Sequence, residues 1–112
     1  MQENLRVAND PRIVCESRGT WTLRQGLRGD ISGTVQSVDR CPAIGMDSRG
    51  SARLTGIIDG SRVIFDSRAC HYEGRAYADP ATHVMGTVEC HLTLPRLTGV
   101  QMLRGSWQAN LR

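Results

Sequence analysis

The stretch Ile31-Ser32-Gly33-Thr34-Val35 places a glycine midway between two apolar residues, with one spacer on each side. Alternate residues of a strand share a face, so this glycine lies in mid-strand on the apolar face. A glycine there packs nothing and costs entropy, which suits a sharply bent sheet or a backbone covered by a bulky ring. Repetition of the pattern therefore predicts a small closed or nearly closed antiparallel barrel. Its five occurrences are Ile31-x-Gly33-x-Val35, Leu54-x-Gly56-x-Ile58, Tyr72-x-Gly74-x-Ala76, Val84-x-Gly86-x-Val88 and Leu103-x-Gly105-x-Trp107.

Short alternating segments separated by turn residues fill the chain, and no window keeps a helical period over three turns. The pair Asp59-Gly60 is a hairpin signal, Pro80 marks a further turn, and a loop is expected over 39–51. Short connections favour an all-β meander barrel of seven or eight strands that closes by pairing the first strand with the last. The predicted strands are 20–25, 31–38, 52–58, 61–68, 70–78, 83–92 and 103–111, with an edge strand near Arg12-Ile13-Val14 as the eighth.

These turns set the registers of the hairpins, and the registers define one buried face. The predicted cross-strand pairs are Trp21 with Val35, Leu23 with Gly33, Leu54 with Phe65, Tyr72 with Cys90, His71 with His91 and Val88 with Trp107. The predicted inner face comprises Trp21, Leu23, Ile31, Val35, Leu54, Ile58, Val63, Phe65, Tyr72, Val84, Val88, Leu103, Trp107 and Leu111.

The four cysteines are an even number, as expected for two disulfides in an oxidising compartment. Extending the first hairpin places Cys15 opposite Cys41, which favours a bridge between them. Cys70 and Cys90 lie on one face of neighbouring strands but one diagonal step apart, at about 7–8 Å, which is too far without a bulge. The sequence therefore leaves two interpretations of this second pair, a disulfide or two buried free thiols.

The residues that could bind a metal ion or act in catalysis are poorly placed for either role. Each cysteine of Cys70-His71 and Cys90-His91 points to the face opposite its histidine, so no metal site is predicted. The sequence contains no nucleophile elbow, zinc-protease helix or phosphate loop, and we predict no catalytic residue and no cofactor.

Composition limits the function classes. The chain of 112 residues has 14 basic residues, all arginine, scattered among 11 acids for a net charge of +3, without the basic stripe of a nucleic-acid binder. No apolar run is long enough to span a membrane. We expect one domain over 1–112, with 1–11 as an irregular segment. The start, Met1-Gln2-Glu3-Asn4, shows no signal peptide, so a secreted or periplasmic protein with its leader removed and a cytoplasmic protein both stay open.

Three short motifs carry a resemblance to known barrels: Gly19-Thr20-Trp21, Ser32-Gly33-Thr34-Val35 and Gly105-Ser106-Trp107-Gln108-Ala109. They resemble those of bacterial extracytoplasmic β-barrel domains, and the Gly-x-Trp start is similar to that of avidins and lipocalins. The resemblance covers roughly residues 15–112 and implies a meander barrel that binds a small molecule. The asparagine that avidins carry two residues after this tryptophan is replaced by Leu23, so the resemblance implies no biotin site.

We therefore expect a non-enzymatic barrel that binds a small apolar ligand or a protein partner. One alternative is a homo-oligomeric interaction module with a dry core, assembled through the outward residues Ile57, Ile64, Tyr77 and Met85. The other is a barrel-type isomerase acting on a lipid-like substrate, which requires an inward polar group with a shifted pKa. The expected ligand-binding residues are Trp21, Phe65, Tyr72 and Trp107, with Arg104 near one mouth.

Overall fold

A closed barrel of eight antiparallel strands forms the protein, as a computed structural model shows for residues 1–77 and 83–110. Each strand pairs with the next along the chain, and the first pairs with the last, which confirms the predicted all-β meander. The strands are β1 (Gln2–Val7), β2 (Asp10–Gln25), β3 (Asp30–Cys41), β4 (Met46–Asp59), β5 (Arg62–Asp66), β6 (Cys70–Tyr77), β7 (His83–Thr93) and β8 (Val100–Asn110). The Pro80 turn, Leu111 and the side chain of Tyr77 lie outside the described part of the chain.

The predicted position of the eighth strand is wrong. Arg12-Ile13-Val14 belongs to β2, and the eighth strand is β1, within the segment 1–11 that was expected to be irregular. Burial alternates along β1, with Glu3, Leu5 and Val7 facing the interior. A search for alternating apolar residues does not find this strand, because its first buried residue is the carboxylate Glu3.

The loop predicted over 39–51 is also wrong, because strand pairing continues almost to the turn. β3 runs to Cys41, a single 3₁₀ turn spans Pro42–Ile44, and β4 begins at Met46. Gly45 closes the turn with a φ of 67°, a left-handed conformation that glycine adopts without penalty. After Met46, residues 47–51 of β4 are exposed on both faces and carry no large apolar side chain, so they show no alternation.

The connections that follow β1, β3, β5 and β7 lie at one end of the barrel, which we call the cysteine end. Both disulfides, Cys15–Cys41 and Cys70–Cys90, are in the half of the barrel next to it. The opposite end carries the turns after β2 and β4.

The register predicted between the strands now numbered β2 and β3 is confirmed. The registers predicted for β4–β5, β6–β7 and β7–β8 are each shifted by two residues. Between β4 and β5 the shift arises because Gly60 and Ser61 form the turn, with Asp59 paired to Arg62. A shift of two keeps every side chain on its face, so the predicted inner face is largely preserved. The observed pairs are Trp21 with Val35, Leu23 with Gly33, Gly56 with Phe65, Tyr72 with Val88, and Gly86 with Trp107.

The core contains many of the predicted inward residues together with others that were not predicted. Trp21, Leu23 and Ile58 are half-buried and pack against this core. The buried members of the predicted set are Ile31, Val35, Leu54, Val63, Phe65, Tyr72, Val84, Val88, Leu103 and Trp107. The buried residues missing from that set are Glu3, Leu5, Val7, Ile13, Cys15, Ser17, Cys41, Ile44, Cys90, Leu94, Gln101 and Ala109.

One glycine of the repeats shows why the pattern exists. A Cβ added at Gly74 would lie 2.7 Å from Cζ2 of Trp107 and 2.8 Å from the carbonyl oxygen of Met85. The ring therefore lies directly on the glycine backbone. At Gly105 the same added atom would meet the carbonyl oxygen of Asn4 on β1, which shows how closely the closing strands approach.

Candidate functional site

The four aromatic residues expected to line a pocket meet in the interior. Trp21 stacks on Trp107 with ring centroids 5.2 Å apart, and Phe65 and Tyr72 contact Trp21 at centroid distances of 5.1 and 5.7 Å in edge-to-face geometry. Aromatic pairs of this kind contribute about 0.5–1.5 kcal/mol beyond the area that they bury. Trp21, Phe65 and Trp107 pack against one another and fill this part of the interior. Tyr72 is the one of the four that borders a cavity inside the barrel.

The indole of Trp107 is held in place by the backbone. Its Nε1 donates to the carbonyl oxygens of Thr87 and Glu73, at 3.0 and 3.2 Å. The indole nitrogen of Trp21 is buried without a hydrogen-bond partner among the described residues. Hydrogen bonds therefore hold the indole ring of Trp107, whereas none holds that of Trp21 in the described part of the chain.

Arg104 lies on the outer wall and does not border the interior cavity, so its expected position is wrong. It follows the fully buried Leu103 on β8, and adjacent strand residues face opposite sides. Its side chain is 64% exposed and lies 3.6 Å from Glu89 in an ion pair.

A cavity of about 210 Å³ occupies the half of the barrel next to the cysteine end. Both disulfides border it, and most of its wall is apolar. The apolar lining includes Leu5, Val35, Ala52, Leu92, Leu94 and Leu103. The aromatic cluster closes the interior on the far side, where Tyr72 borders the cavity.

The short length of β5 leaves one edge of β4 unpaired beside the cavity in the described part of the chain. The ladder between β4 and β5 covers Thr55–Asp59, so no ladder in the described residues covers this edge of β4 between Met46 and Leu54. The segment 50–52 of that edge and the 67–69 turn after β5 both border the cavity. We call this gap the β4 mouth.

Glu3 is a buried carboxyl group inside the barrel. It is 4% exposed, and its Oε1 accepts a hydrogen bond of 2.5 Å from the Tyr72 hydroxyl. Burial, with a smaller contribution from Asp39, raises the pKa of Glu3 to about 7, against the opposing effects of the Tyr72 hydrogen bond and the Met1 ammonium group. Burial and the charge of Glu3 raise the pKa of Tyr72, so this phenol stays neutral. Glu3 thus changes charge near neutral pH.

A polar row crosses the first three strands on the inner face. Ser17 lies opposite Glu3 on one side and opposite Asp39 on the other, and its hydroxyl donates to Oδ1 of Asp39 at 2.6 Å. Glu3, Ser17 and Asp39 all border the cavity. One wall therefore carries two carboxyl groups, whereas the rest is mainly apolar.

The second disulfide settles the alternative that the sequence left open. Cys70 and Cys90 are direct cross-strand neighbours with Cα atoms 4.1 Å apart, so the predicted diagonal spacing is wrong by the two-residue register shift. The first disulfide joins Cys15 and Cys41, as predicted. The described residues include no free cysteine.

The same shift separates the two histidines that were predicted to face each other. His71 lies opposite Glu89, and its ring nitrogens contact Asp66 and Glu73 at 2.5 and 3.1 Å. These hydrogen bonds raise the pKa of His71, with Asp66 as the main cause. Among the described residues no cluster of three or more histidine, cysteine or acidic side chains is arranged to hold a metal ion.

The outward apolar residues do not form one continuous surface in the described part of the chain. Ile57 is 49% exposed and lies directly opposite Ile64. Met85 is 42% exposed on β7, but Arg75 of β6 lies between it and the β5 strand. Assembly through Ile57, Ile64, Tyr77 and Met85 therefore stays a prediction.

Sequence reasoning missed the polar row, although its alternation was present. Ser17 has the same parity as Cys15 and Trp21, and Asp39 has the parity of Val35. If the alternation of the predicted strands 20–25 and 31–38 is continued outward along the chain, Ser17 and Asp39 both point to the inner face. For Glu3 the signal was the alternation with Leu5 and Val7.

Comparison with known protein families, with curated proteins and with solved structures finds no match for this chain. The candidate site is therefore defined by the structure of this chain alone. It is an apolar cavity in an eight-stranded meander barrel, with one polar row and the β4 mouth. No helix in residues 1–77 and 83–110 has the length and apolarity to cross a membrane.

Proposed function

We propose that this protein is a non-enzymatic barrel that binds a small, largely apolar ligand in the cavity at the cysteine end, in an oxidising compartment outside the cytoplasm. The observation that supports this proposal is the cavity of about 210 Å³ beside an otherwise well-packed aromatic cluster. Native interiors have few voids larger than a water molecule, so a space of this size is unusual for a dry core.

The lining and volume limit the ligand. Taking about 30 Å³ as the share of one water in the liquid, the cavity holds roughly seven groups of that size. Aliphatic and sulfur atoms favour an apolar body, and the polar row offers a place to orient one polar group.

The two disulfides support the compartment. Disulfides persist in secreted and periplasmic proteins and are rare in the cytosol, where thiols are kept reduced. A protein with bridges between Cys15 and Cys41 and between Cys70 and Cys90 is best suited to such an oxidising environment.

The binding proposal can be tested by NMR titration of the amide signals with 1-hexanol, together with native mass spectrometry of protein purified without denaturation. We expect saturable shifts confined to residues around the cavity. Ala52→Leu, which places a larger side chain at the β4 mouth, should weaken binding. Ala43→Leu is the matched control, because Ala43 is exposed near the same end and does not border the cavity. Absence of saturable shifts, with no adduct in the native spectrum, would refute the proposal.

An isomerase of barrel type is the second candidate, and Glu3 is the observation in its favour. Proton transfer needs an inward group whose pKa is near the working pH, and burial raises the pKa of Glu3 to about 7. The phenol of Tyr72, however, already donates to this carboxyl group and is not free to stabilise an oxyanion. Binding is therefore the better-supported function.

Hydrogen–deuterium exchange at the carbon beside the carbonyl of cyclohexanone distinguishes the two candidates. The binding proposal predicts equal exchange with wild-type protein and with Glu3→Gln. Exchange that is catalysed by the wild type and lost in Glu3→Gln would favour the isomerase.

A further inference from the structure

The cavity contains a buried carboxyl group, that of Glu3, which forms no ion pair in the described part of the chain. The six ion pairs of that part involve neither Glu3 nor Asp39. Oε1 of Glu3 accepts the Tyr72 hydrogen bond, and Oε2 has no hydrogen-bond partner among the described residues. One oxygen of a side chain that is only 4% exposed thus stays available to a molecule in the cavity.

An ionised carboxyl group without a partner is costly in an apolar environment, and a cation bound beside it removes most of that cost. Tyr72 cannot act as this partner, because its neutral phenol supplies a hydrogen bond and no positive charge. A ligand with an ammonium group supplies both a charge and N–H donors.

We propose that the natural ligand of the cavity carries a protonated amine, which pairs with Glu3, and an apolar chain that extends along the lining towards the β4 mouth. This inference rests on the proposed binding function and adds the chemical class of the ligand. Asp39 lies in the same polar row and adds negative potential to the ammonium site.

The charged groups around Glu3 are consistent with this assignment. Asp39 faces it from β3, and its charge disfavours ionisation of Glu3. The Met1 ammonium group acts in the opposite direction, and its nitrogen donates to the carbonyl oxygen of Gly19. From β8, Trp107 lies opposite Glu3, and β2 contributes Ser17, so neither strand adds a charge at the directly paired position. Arg68 and Glu16 also border the cavity, but both are exposed.

Binding of an amine is linked to release of a proton from Glu3. Wherever Glu3 is protonated in the free protein, an ammonium ligand must displace that proton to form the ion pair. An alkylamine itself stays protonated from pH 5 to 8, since its pKa is similar to the value of about 10.4 for lysine. Amine affinity should therefore increase over this range because of the protein and not because of the ligand.

The experiment compares n-hexylammonium with 1-hexanol by NMR titration at pH 5 and pH 8, using the intact chain. We expect hexylammonium to bind at least about tenfold more tightly at pH 8 than at pH 5, whereas 1-hexanol changes little. In Glu3→Gln the pH dependence should disappear, and the two ligands should bind with affinities within about threefold of each other. Glu73→Gln is the matched control, because this carboxyl group lies outside the barrel and is 50% exposed.

The outcomes separate this inference from the proposed function. Equal binding of both ligands at pH 8, or amine binding that Glu3→Gln does not weaken, refutes the amine and leaves the cavity function intact. Failure of both ligands to bind refutes both proposals. If Glu3→Gln does not fold, as judged by its near-ultraviolet circular dichroism, the wild-type pH dependence decides: its absence refutes the inference.

Discussion

The hydroxyl of Tyr72 on β6 donates a hydrogen bond of 2.5 Å to Oε1 of Glu3 on β1, across 69 positions of the chain. This bond joins the strand that closes the barrel to the opposite wall of the interior. It also holds Glu3 beside the cavity, where burial opposes its ionisation. The stability of the protein and the chemistry of its candidate site therefore depend on the same two residues.

The protein without ligand should lose stability as the pH rises from about 4.5 to about 7. The pKa of Glu3 is raised from 4.5 to about 7 in the folded state. In this window the unfolded chain has released a proton that the folded protein keeps, so the free energy of unfolding falls with pH, on the order of 3 kcal/mol in total. Urea unfolding at half-unit pH steps measures this slope.

Glu3→Gln should flatten that slope and stabilise the protein at pH 8. The raised pKa of His71, caused mainly by its hydrogen bond to Asp66, adds a separate contribution. It is complete below the ordinary histidine pKa of 6.5 and is lost as the pH rises through the higher folded value. His71→Gln removes it, so the difference between His71→Gln and the double variant isolates the effect of Glu3. A slope between pH 5 and 6.5 that is unchanged in Glu3→Gln would contradict this prediction.

Tyr72→Phe should raise the pKa of Glu3 above its wild-type value. The hydrogen bond from Tyr72 stabilises the ionised carboxyl group, and its loss leaves desolvation unopposed at Oε1. The expected cost in stability is about 1–3 kcal/mol at neutral pH, because a buried acceptor loses its partner. NMR titration of the Glu3 carboxyl carbon measures the pKa. A pKa equal to or below the wild-type value would show that the hydrogen bond contributes nothing.

Gly74→Ala should destabilise the barrel, whereas Gly50→Ala should not. The added methyl group at Gly74 would meet Cζ2 of Trp107 at 2.7 Å and backbone atoms of Met85. Overpacking of this kind costs about 1–3 kcal/mol. Gly50 is the matched control in β4, since a Cβ added there meets nothing within 4 Å. Thermal unfolding followed by tryptophan fluorescence compares them, and similar midpoints for both variants would remove the steric explanation of the repeats.

Removal of either disulfide should lower the free energy of unfolding by about 3–4 kcal/mol in the chain-entropy estimate. The disulfides close loops with sequence separations of 26 and 20, so the two losses in stability should be similar. The variants to compare are Cys15→Ser with Cys41→Ser and Cys70→Ser with Cys90→Ser. Urea unfolding of the oxidised proteins measures the difference. Non-reducing peptide mapping checks the pairing, and a Cys15–Cys70 peptide would overturn the assigned connectivity.

The amino-acid pattern was sufficient to predict the local features of the fold. Alternation around Gly33 and Gly74 correctly placed the apolar faces, because side-chain direction depends only on strand parity. The register of the first hairpin and the Cys15–Cys41 bridge also followed from one turn and one count along two neighbouring strands. These features involve residues whose relation is set by short segments of chain.

The later registers could not be derived in this way, because a two-residue shift keeps the same face buried and leaves the hydrophobic pattern unchanged. That shift decided whether Cys70 meets Cys90 directly. The sequence by itself thus determined a meander barrel with a defined inner face. Only the tertiary structure decided that β1 closes it and brings Glu3 to Tyr72. The physical reason is that barrel closure joins residues far apart in the chain, whereas periodicity reports only the direction in which each side chain points.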